Sequence, residues 1–160
     1  MPDALVKLYG LPAAEIYLAP LISLGVEIRR ALAPEKQIVA DWVESEFGRK
    51  NWKSECEVAF SRSPVSCFVA LANGRLAGFY CYDATLKGFA GPGGVDREHR
   101  RQGIFKGLTI AALHAMAAEG YGYAILGSVN EDSLAATRTI VAAETIPGSA
   151  PGVYAGMLRG

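Results

Sequence analysis

The sequence predicts an α/β fold in which helices cover both faces of a mixed, mostly antiparallel central sheet. A length of 160 residues predicts one domain. Contents of 51% hydrophobic and 20% charged residues are typical of a globular chain. Two β-rich segments joined by Asn73-Gly74 predict a hairpin, because this dipeptide favours the tight turn between antiparallel strands. A third β-rich segment follows, and then a helix–strand–helix order that completes the pattern of a mixed sheet.

Before the hairpin, the pattern predicts two strands and two helices. Val26 and Ile28 alternate with charged neighbours, which is the period of a half-buried strand. Pro34 suits a first helical turn, and Gly48 fits the end of the helix that follows. The predicted elements are strands at 4–8 and 26–32, a loop or short helix at 11–24, and helices at 38–47 and 52–60.

From the hairpin onward, glycines and prolines mark where regular structure is interrupted. The segment 88–95 contains Gly91, Pro92, Gly93 and Gly94, and such residues inside a strand indicate a bulge or a close approach of a ligand to the backbone. A plain edge strand is the alternative. The predicted elements are strands at 65–72, 75–85, 88–95, 121–129 and 152–158, with helices at 104–119 and 132–143.

Charge and cysteine content exclude several classes of function. Sixteen basic and sixteen acidic residues give no net charge, which argues against a general nucleic-acid binder and gives no support for a membrane-surface protein. No apolar run approaches the roughly 18 residues that a spanning helix needs, and no signal peptide is expected. Three cysteines without Cys-x-x-Cys spacing favour a reduced, cytoplasmic protein. With two histidines they form no zinc pattern, so no metal is expected.

The most informative segment is a short basic loop, residues 95–106, between a predicted strand and a predicted helix. Arg97, Arg100, Arg101 and Lys106 supply four positive charges. Glycine at position 103 allows the backbone to approach a ligand closely, and N–H groups at the start of a helix attract anions. The loop therefore predicts a phosphate or pyrophosphate site, with a solvated basic turn as the alternative.

This segment resembles the phosphate loop of the GNAT (Gcn5-related) N-acetyltransferases. That loop reads Arg/Gln-x-x-Gly-x-Gly/Ala after a strand that ends in a Val-Asp-x-x-x-Arg pattern. Here Val95-Asp96 opens the segment, and Arg100-Arg101-Gln102-Gly103-Ile104 follows. Phe105 departs from the pattern, because the family has a second small residue there. The order of the predicted elements also resembles the family, which implies an acetyltransferase domain at 26–160 and an N-terminal extension at 1–25.

The resemblance implies that the chain binds acetyl-CoA as a co-substrate. Pantetheine would pair with the backbone at 93–95, where free N–H groups would hold the oxyanion of the thioester, and the pyrophosphate would lie on the basic loop. The resemblance assigns cofactor-binding roles to Gly94, Val95, Arg100, Arg101, Gln102, Gly103, Ile104, Phe105, Lys106 and Asn130.

Direct attack by an amine needs one group that deprotonates the amine and one that protonates the departing thiolate. Asp83, at the end of a hairpin strand beside the expected gap, is the candidate base. The alternative is that Asp83 only starts a loop. The family often has a tyrosine as the acid on the helix after the fifth strand, where this sequence has Thr137. Tyr154, or Tyr82, is therefore the candidate acid, and departure of the thiolate without a proton is the alternative. Glu55 and Glu57 could also face an acceptor, although helices carry solvated carboxylates more often than working ones.

These features predict a cytoplasmic N-acetyltransferase that moves an acetyl group from acetyl-CoA to a primary amine by direct attack. The acceptor would be a small molecule or a peptide, with no nucleic-acid or membrane partner, and homodimerisation stays open. The missing tyrosine also fits a catalytically weak member of the fold that binds acyl-CoA as a sensor. A third interpretation discards CoA and makes the loop a general nucleotide-phosphate site.

Overall fold

The computed structural model describes residues 1–160, which form seven strands, five α-helices and three short 3-10 helices. The strands are β1 (Ala4–Lys7), β2 (Val26–Arg30), β3 (Cys67–Ala72), β4 (Arg75–Tyr82), β5 (Phe89–Val95), β6 (Tyr123–Leu126) and β7 (Ala143–Thr145). The α-helices are α1 (Glu15–Ile22), α2 (Lys36–Phe47), α3 (Lys50–Phe60), α4 (Ile104–Ala118) and α5 (Glu131–Arg138). The 3-10 helices are Ala33–Glu35, Arg97–His99 and Val153–Gly156. None of the helices is both long and apolar enough to cross a bilayer.

All seven strands belong to one sheet in the order β2-β3-β4-β5-β6-β1-β7. Every neighbouring pair is antiparallel except β5 and β6, which are parallel. A helix must connect parallel neighbours, and α4 makes this connection. The predicted fold class, a mixed and mostly antiparallel sheet, is therefore confirmed.

Helices cover both faces of the sheet, and each face has its own apolar core. Leu108 and Leu113 of α4 are fully buried on one face, in a cluster that also contains Leu21 of α1. Val43 of α2 packs on the other face with Phe79 of β4. Because each helix buries its apolar side against the sheet, the loops at the strand ends are left to form a site.

Residues 1–25, predicted as an extension, contribute to the same core as the rest of the chain. Strand β1 lies inside the sheet, where it pairs with β6 on one side and β7 on the other. Its Ala4 and Val6 side chains are fully buried. Helix α1 packs closely on α4, where a Cβ at Gly107 would lie 2.8 Å from Leu21 Cδ1. The first 25 residues are thus integrated in the fold.

The prediction of a last strand at 152–158 is wrong. Helix α5 ends at Arg138, earlier than predicted, and the last strand is β7, whose Ala143 pairs with Val6. Since β1 already occupies the position beside β6, the final segment has no strand partner there and turns into the 3-10 helix Val153–Gly156. Its half-buried residues pack over the site described below instead of pairing in the sheet.

Strands β5 and β6 separate after only two residue pairs, Phe89 with Ile125 and Ala90 with Leu126. On its other side, β5 stays paired with β4 through Val95, apart from a register shift between Tyr80 and Tyr82. One edge of β5 is therefore free of sheet partners from residue 91 onward, and a gap opens between the two strands.

Glycine at position 93 is required by the ring of Tyr80, its cross-strand partner on β4. A Cβ at Gly93 would lie 2.3 Å from Tyr80 Cδ2, so an added methyl group must displace the ring. We expect Gly93→Ala to lower the free energy of unfolding by about 1–3 kcal/mol, as overpacking typically does. Urea denaturation would measure the change.

Gly122→Ala is the matched control for this substitution. Gly122 is exposed, and a Cβ there would meet no atom within 4 Å. The control is expected to unfold within about 0.5 kcal/mol of the parent protein. Equal stability of the two variants would show that the Tyr80 ring does not hold the position described here.

Candidate active site

A cavity of about 550 Å³ occupies the gap where β5 and β6 separate. Its walls come from β5, the segment after β6, the start of α3, the start of α5 and the C-terminal segment. Residues with polar or aromatic side chains that line it are Arg49, Asn51, Trp52, Tyr80, Thr85, Phe89, Phe105, Ser128, Asn130, Ser133, Thr137, Tyr154 and Arg159. Segments that are far apart in the chain thus meet at one end of the sheet.

The free edge of β5 presents backbone donors to this gap. The N–H of Asp96 donates to Ala77 O on β4 at 2.8 Å, and successive N–H groups of a strand point to opposite sides. The N–H groups of Gly93 and Val95 therefore face away from β4 and toward the gap. Pro92, which precedes them, has no N–H and lies where the register between β4 and β5 shifts. Two donors without sheet partners are the arrangement that an extended, amide-bearing ligand requires.

The sequence-predicted Gly94 contributes space instead of a donor. It pairs with Phe79, and a Cβ at this position would lie 2.8 Å from the Phe47 ring. Any larger residue would push the ring from the core and move β5 at the gap. Gly94 therefore positions the strand, although its own N–H faces β4.

The basic loop delivers unpaired N–H groups at the start of α4. Gly103 begins the helix in the left-handed region, with φ of 89°, and no side chain caps this helix. The first helical hydrogen bond is donated by Gly107 to Gly103 O, which leaves the N–H groups of Ile104, Phe105 and Lys106 free. A helix start of this kind binds the oxygens of a phosphate.

Positive side chains surround this helix start without carboxylate partners. Arg97, Arg100 and Arg101 are exposed and Lys106 is half-buried, and none of them has a carboxylate oxygen within 4.0 Å. Arg100 Nε donates to Val95 O at 3.1 Å, which ties the loop to the end of β5. The predicted loop residues, exposed Gln102 included, are thus brought together around one helix start.

Phe105, the departure from the family pattern, lines the cavity itself. Its ring centroid lies 5.8 Å from that of Tyr80, with the rings tilted. Beside Tyr80, Phe105 adds an apolar surface to the wall of the cavity where the family pattern has a small residue. The loop still begins α4 at Ile104, with Gly103 as the N-cap residue.

Asn130 and Thr137 line the cavity from α5, and both side chains serve the helix. Asn130 Oδ1 accepts from Ser133 N at 2.8 Å and so caps the helix. The Thr137 hydroxyl donates to Ser133 O at 2.8 Å, one turn earlier. Its proton is therefore engaged by the backbone, which makes Thr137 poorly suited to act as an acid.

Ser128 is a lining residue that the sequence analysis missed. Its backbone is left-handed, with φ of 46°, and its N–H donates to Asp3 Oδ1 at 2.8 Å. Its hydroxyl oxygen is buried and has no hydrogen-bond partner. The N-terminal segment therefore holds a free hydroxyl at the wall of the cavity, available to a ligand.

A buried carboxylate in the middle of α3 lies behind the cavity wall. Glu55 is only 8% exposed, and its Oε1 accepts hydrogen bonds from the hydroxyls of Thr85 at 2.6 Å and Tyr154 at 2.5 Å. Its Oε2 is buried and has no partner. Both hydroxyls line the cavity, so they connect it to a buried proton acceptor. The helical spacing of Trp52, Glu55 and Ala59 on one buried face was the sequence signal for this residue.

Tyr154, the sequence-predicted acid, lies at the cavity, and its pKa is raised above the ordinary range. Burial is the main cause, because it disfavours the phenolate, and the hydrogen bond to Glu55 adds to it. Arg49 acts in the opposite direction. Tyr154 therefore holds its proton at neutral pH, and it can pass a proton on only if it regains one from a neighbouring group.

Asp83, the sequence-predicted base, does not line the cavity, and its carboxylate is engaged by three groups. It accepts from Gly88 N at 2.7 Å and from the Tyr121 hydroxyl at 2.8 Å, and Arg62 lies 3.4 Å away. These contacts close the turn between β4 and β5. They leave the side chain 1% exposed, so its present contacts are those of a structural residue.

Tyr82, the second candidate acid, also lies outside the cavity lining. Its hydroxyl accepts from Arg30 at 2.7 Å and donates to Glu119. Burial raises the pKa of Tyr82 to about 12. Of the two candidate acids, only Tyr154 lies where a ligand could reach it.

The three cysteines, Cys56, Cys67 and Cys81, form a cluster with their sulfur atoms within 4.8 Å of one another. All three are fully buried in the core between α3 and the sheet. They would offer a metal ion three soft ligands, and no fourth ligand from histidine or a carboxylate joins them. None of them lines the cavity.

Comparison with known proteins places this geometry in a family. A family model described as the acetyltransferase (GNAT) family matches residues 26–140. No curated protein sequence shows significant similarity to the chain.

Solved structures share the fold at low sequence identity. The GCN5-related glucosamine N-acetyltransferase region of a fungal multi-domain GH3 β-N-acetylglucosaminidase has a TM-score of 0.73 and 14% identity, over 91% of this chain and 19% of that one. A putative acetyltransferase from Pyrococcus horikoshii has a TM-score of 0.51 and 15% identity, over 72% of this chain and 42% of that one. A GCN5-related N-acetyltransferase from Kribbella flavida has a TM-score of 0.50 and 18% identity, over 78% of this chain and 46% of that one. The chain thus spans less than half the length of each.

The raised tyrosine pKa values predict a loss of stability in alkali. Between about pH 10 and 12, tyrosines of the unfolded chain ionise, whereas buried Tyr154 keeps its proton in the native state. The unfolded state then binds fewer protons, so the free energy of unfolding falls as the pH rises. We expect Tyr154→Phe to make this decline shallower, by up to about 1.4 kcal/mol per pH unit. Denaturant titrations at pH 8, 10 and 11 would measure it, and equal slopes would contradict the burial of this hydroxyl.

Proposed function

The chain belongs to the acetyltransferase (GNAT) family, and on that premise we propose that it transfers an acetyl group from acetyl-CoA to a primary amine. The observation that carries the proposal is the cavity between β5 and β6, which joins three features in one place. These are strand donors without partners, a helix start with unpaired positive charges, and hydroxyls connected to a buried carboxylate. Each suits a different part of the reaction.

The residues on the CoA side fit an extended chain that ends in a pyrophosphate. The N–H groups of Gly93 and Val95 would pair with pantetheine amides along the free edge of β5. The free N–H groups at the start of α4, with Arg101 and Lys106 nearby, would bind the phosphates. Gly103 suits this turn, because its φ of 89° is strained for any residue with a side chain. Bound acetyl-CoA supplies an activated acetyl thioester.

The residues on the other side would manage the protons of the transfer. The Glu55 carboxylate would accept the proton that the incoming ammonium loses, through the hydroxyl of Tyr154 or Thr85. The Gly93 N–H would stabilise the negative charge that develops on the thioester carbonyl oxygen. Tyr154 would then donate its proton to the departing sulfur and take up the second proton of the attacking nitrogen, so that the products are the N-acetyl amide, the CoA thiol and the proton held by Glu55, which passes to solvent. Asp83, predicted from the sequence as the base, is the competing assignment.

One observation favours the second candidate, an acyl-CoA sensor without turnover. Thr137 stands where the family often has its tyrosine, and its hydroxyl proton is engaged by Ser133 O. In the transferase, Tyr154 would replace the missing tyrosine from the C-terminal segment. Release of CoA thiol in the presence of amines distinguishes the two candidates, because a sensor would bind acetyl-CoA without releasing thiol.

Binding of acetyl-CoA should stabilise the fold and depend on the glycine that begins α4. At one hundred times its dissociation constant a ligand adds about 2.7 kcal/mol, so a melting temperature raised by several degrees is expected. Gly103→Val should abolish most of this shift, because valine cannot easily adopt the left-handed backbone and its side chain would crowd the phosphates. The circular dichroism spectrum should stay native. ATP in place of acetyl-CoA tests the general phosphate site, and equal shifts with both ligands would favour that interpretation.

Substitution of the two candidate bases should identify the one that acts. We expect Glu55→Gln to lower kcat/KM by about 10²–10⁴-fold at pH 7 and by less at pH 9, where bulk base replaces the carboxylate. The folded fraction of Asp83→Asn should keep most of the kcat/KM of the parent protein. Thr137→Ala, which removes another hydroxyl from the same cavity, should cost less than about tenfold.

The measurement is thiol release with one reactive amine between pH 6 and 9, with acetyl-CoA affinity determined for each variant. An active Glu55→Gln together with an inactive, folded Asp83→Asn would return the role of base to Asp83. Inactivity of Thr137→Ala would contradict the assignment of Tyr154 as the acid.

A further inference from the structure

The acceptor end of the cavity carries a positive charge that nothing in the protein neutralises. Arg49 lines the cavity at the N-terminal boundary of α3, with its guanidinium carbon 4.9 Å from the centre of the Trp52 ring. No carboxylate oxygen lies within 4.0 Å of it, and its side chain makes no hydrogen bond. Stacking on Trp52 holds the planar group in place and leaves its N–H donors free.

A negative charge lies deeper in the same region. Glu55 is more than nine-tenths buried, and its Oε2 atom has no partner, although buried carboxylate oxygens are normally hydrogen-bonded. The other oxygen is bonded to the cavity-lining hydroxyls of Thr85 and Tyr154. This end of the cavity therefore has an arginine in its wall and a carboxylate directly behind the wall.

The two charges act on one hydroxyl of the cavity wall. Arg49 precedes the first residue of α3, and Glu55 lies in the middle of that helix. Both charges act on Tyr154, since Glu55 raises the pKa of its hydroxyl and Arg49 lowers it. A molecule that contacts Arg49 and the Tyr154 hydroxyl together is matched best by an anionic group at one end and a cationic group at the other.

We infer that the acceptor is a small zwitterion, an amine with a carboxylate a few bonds away, as in an amino acid. The inference rests on the proposed function and names the substrate class of that site. The carboxylate would accept hydrogen bonds from the Arg49 guanidinium, and the ammonium would lie at Tyr154, where its proton passes toward Glu55. A polyamine would place a second cation at Arg49 and be repelled, and an amino sugar would leave the guanidinium without a partner.

The test compares amines that differ only in the anionic group. L-alanine and L-alaninamide have the same shape, and so do phenylalanine and its amide. Glucosamine serves as an amine that carries no carboxylate. Thiol release from acetyl-CoA is compared at equal concentrations of the neutral amine, because an amide lowers the amine pKa. Loss of a hydrogen bond to a charged group costs about 10- to 100-fold, so kcat/KM for the amino acids should exceed that for the amides by this factor.

Substitutions of Arg49 make the test specific to its guanidinium. Arg49→Gln should remove the preference, because kcat/KM falls by a larger factor for the amino acids than for their amides, and Arg49→Glu should reverse the preference. Arg75→Gln, at the first residue of β4 and outside the cavity, is the control and should behave as the parent protein. An equal preference in the parent protein and Arg49→Gln, or acetylation of glucosamine or the amides alone, would overturn the inference.

Binding separates this inference from the proposed function. Calorimetry with CoA-saturated protein should detect the amino acids and not their amides, and Arg49→Gln should abolish the difference. If no amine releases thiol while amino acids bind through Arg49, the proposed transfer fails and the zwitterion site stands. If amines react and amino acids show no advantage in either assay, the transfer stands and the zwitterion site fails.

Discussion

The separation of β5 from β6 after two residue pairs is the constraint on which the rest of the site depends. The parallel ladder consists of Phe89 with Ile125 and Ala90 with Leu126, and it ends where the register between β5 and β4 also shifts. The ring of Phe89 on β5 lies against Gly127, the residue after β6, where a Cβ would come within 2.8 Å of the ring. The strands part, and α4, whose Ile104 is 1% exposed, fills the space beneath. Without this separation there would be neither free strand donors nor a cavity.

The two halves of the cavity differ in how they are built. The side assigned to CoA comes from one continuous segment, the end of β5 and the start of α4, so backbone groups provide most of its binding capacity. The acceptor side is assembled from separate segments, with Tyr154 reaching Glu55 across 99 positions of the chain. Backbone donors suit a co-substrate shared by a whole family, whereas side chains from variable segments suit an acceptor that differs between members.

The chemistry of the site follows from which polar groups are engaged elsewhere. Asp83 and Thr137 are satisfied within the protein, the first by Gly88, Tyr121 and Arg62 and the second by its own helix. Glu55, by contrast, keeps one buried oxygen without a partner. A group whose hydrogen bonds are complete holds the fold together, and a group with capacity left over can serve a ligand.

Local patterns in the sequence determined most of the elements and the co-substrate side of the site. The Asn73-Gly74 turn, the helical period from Ile104 to Ala118 and the glycines of β5 all act through neighbouring residues, so their consequences can be predicted without the rest of the chain. Only the tertiary structure decided that β1 lies between β6 and β7, that Val153–Gly156 is a 3-10 helix, and that Glu55 meets Tyr154. These features depend on contacts between distant segments, and such contacts leave no period or spacing in the sequence.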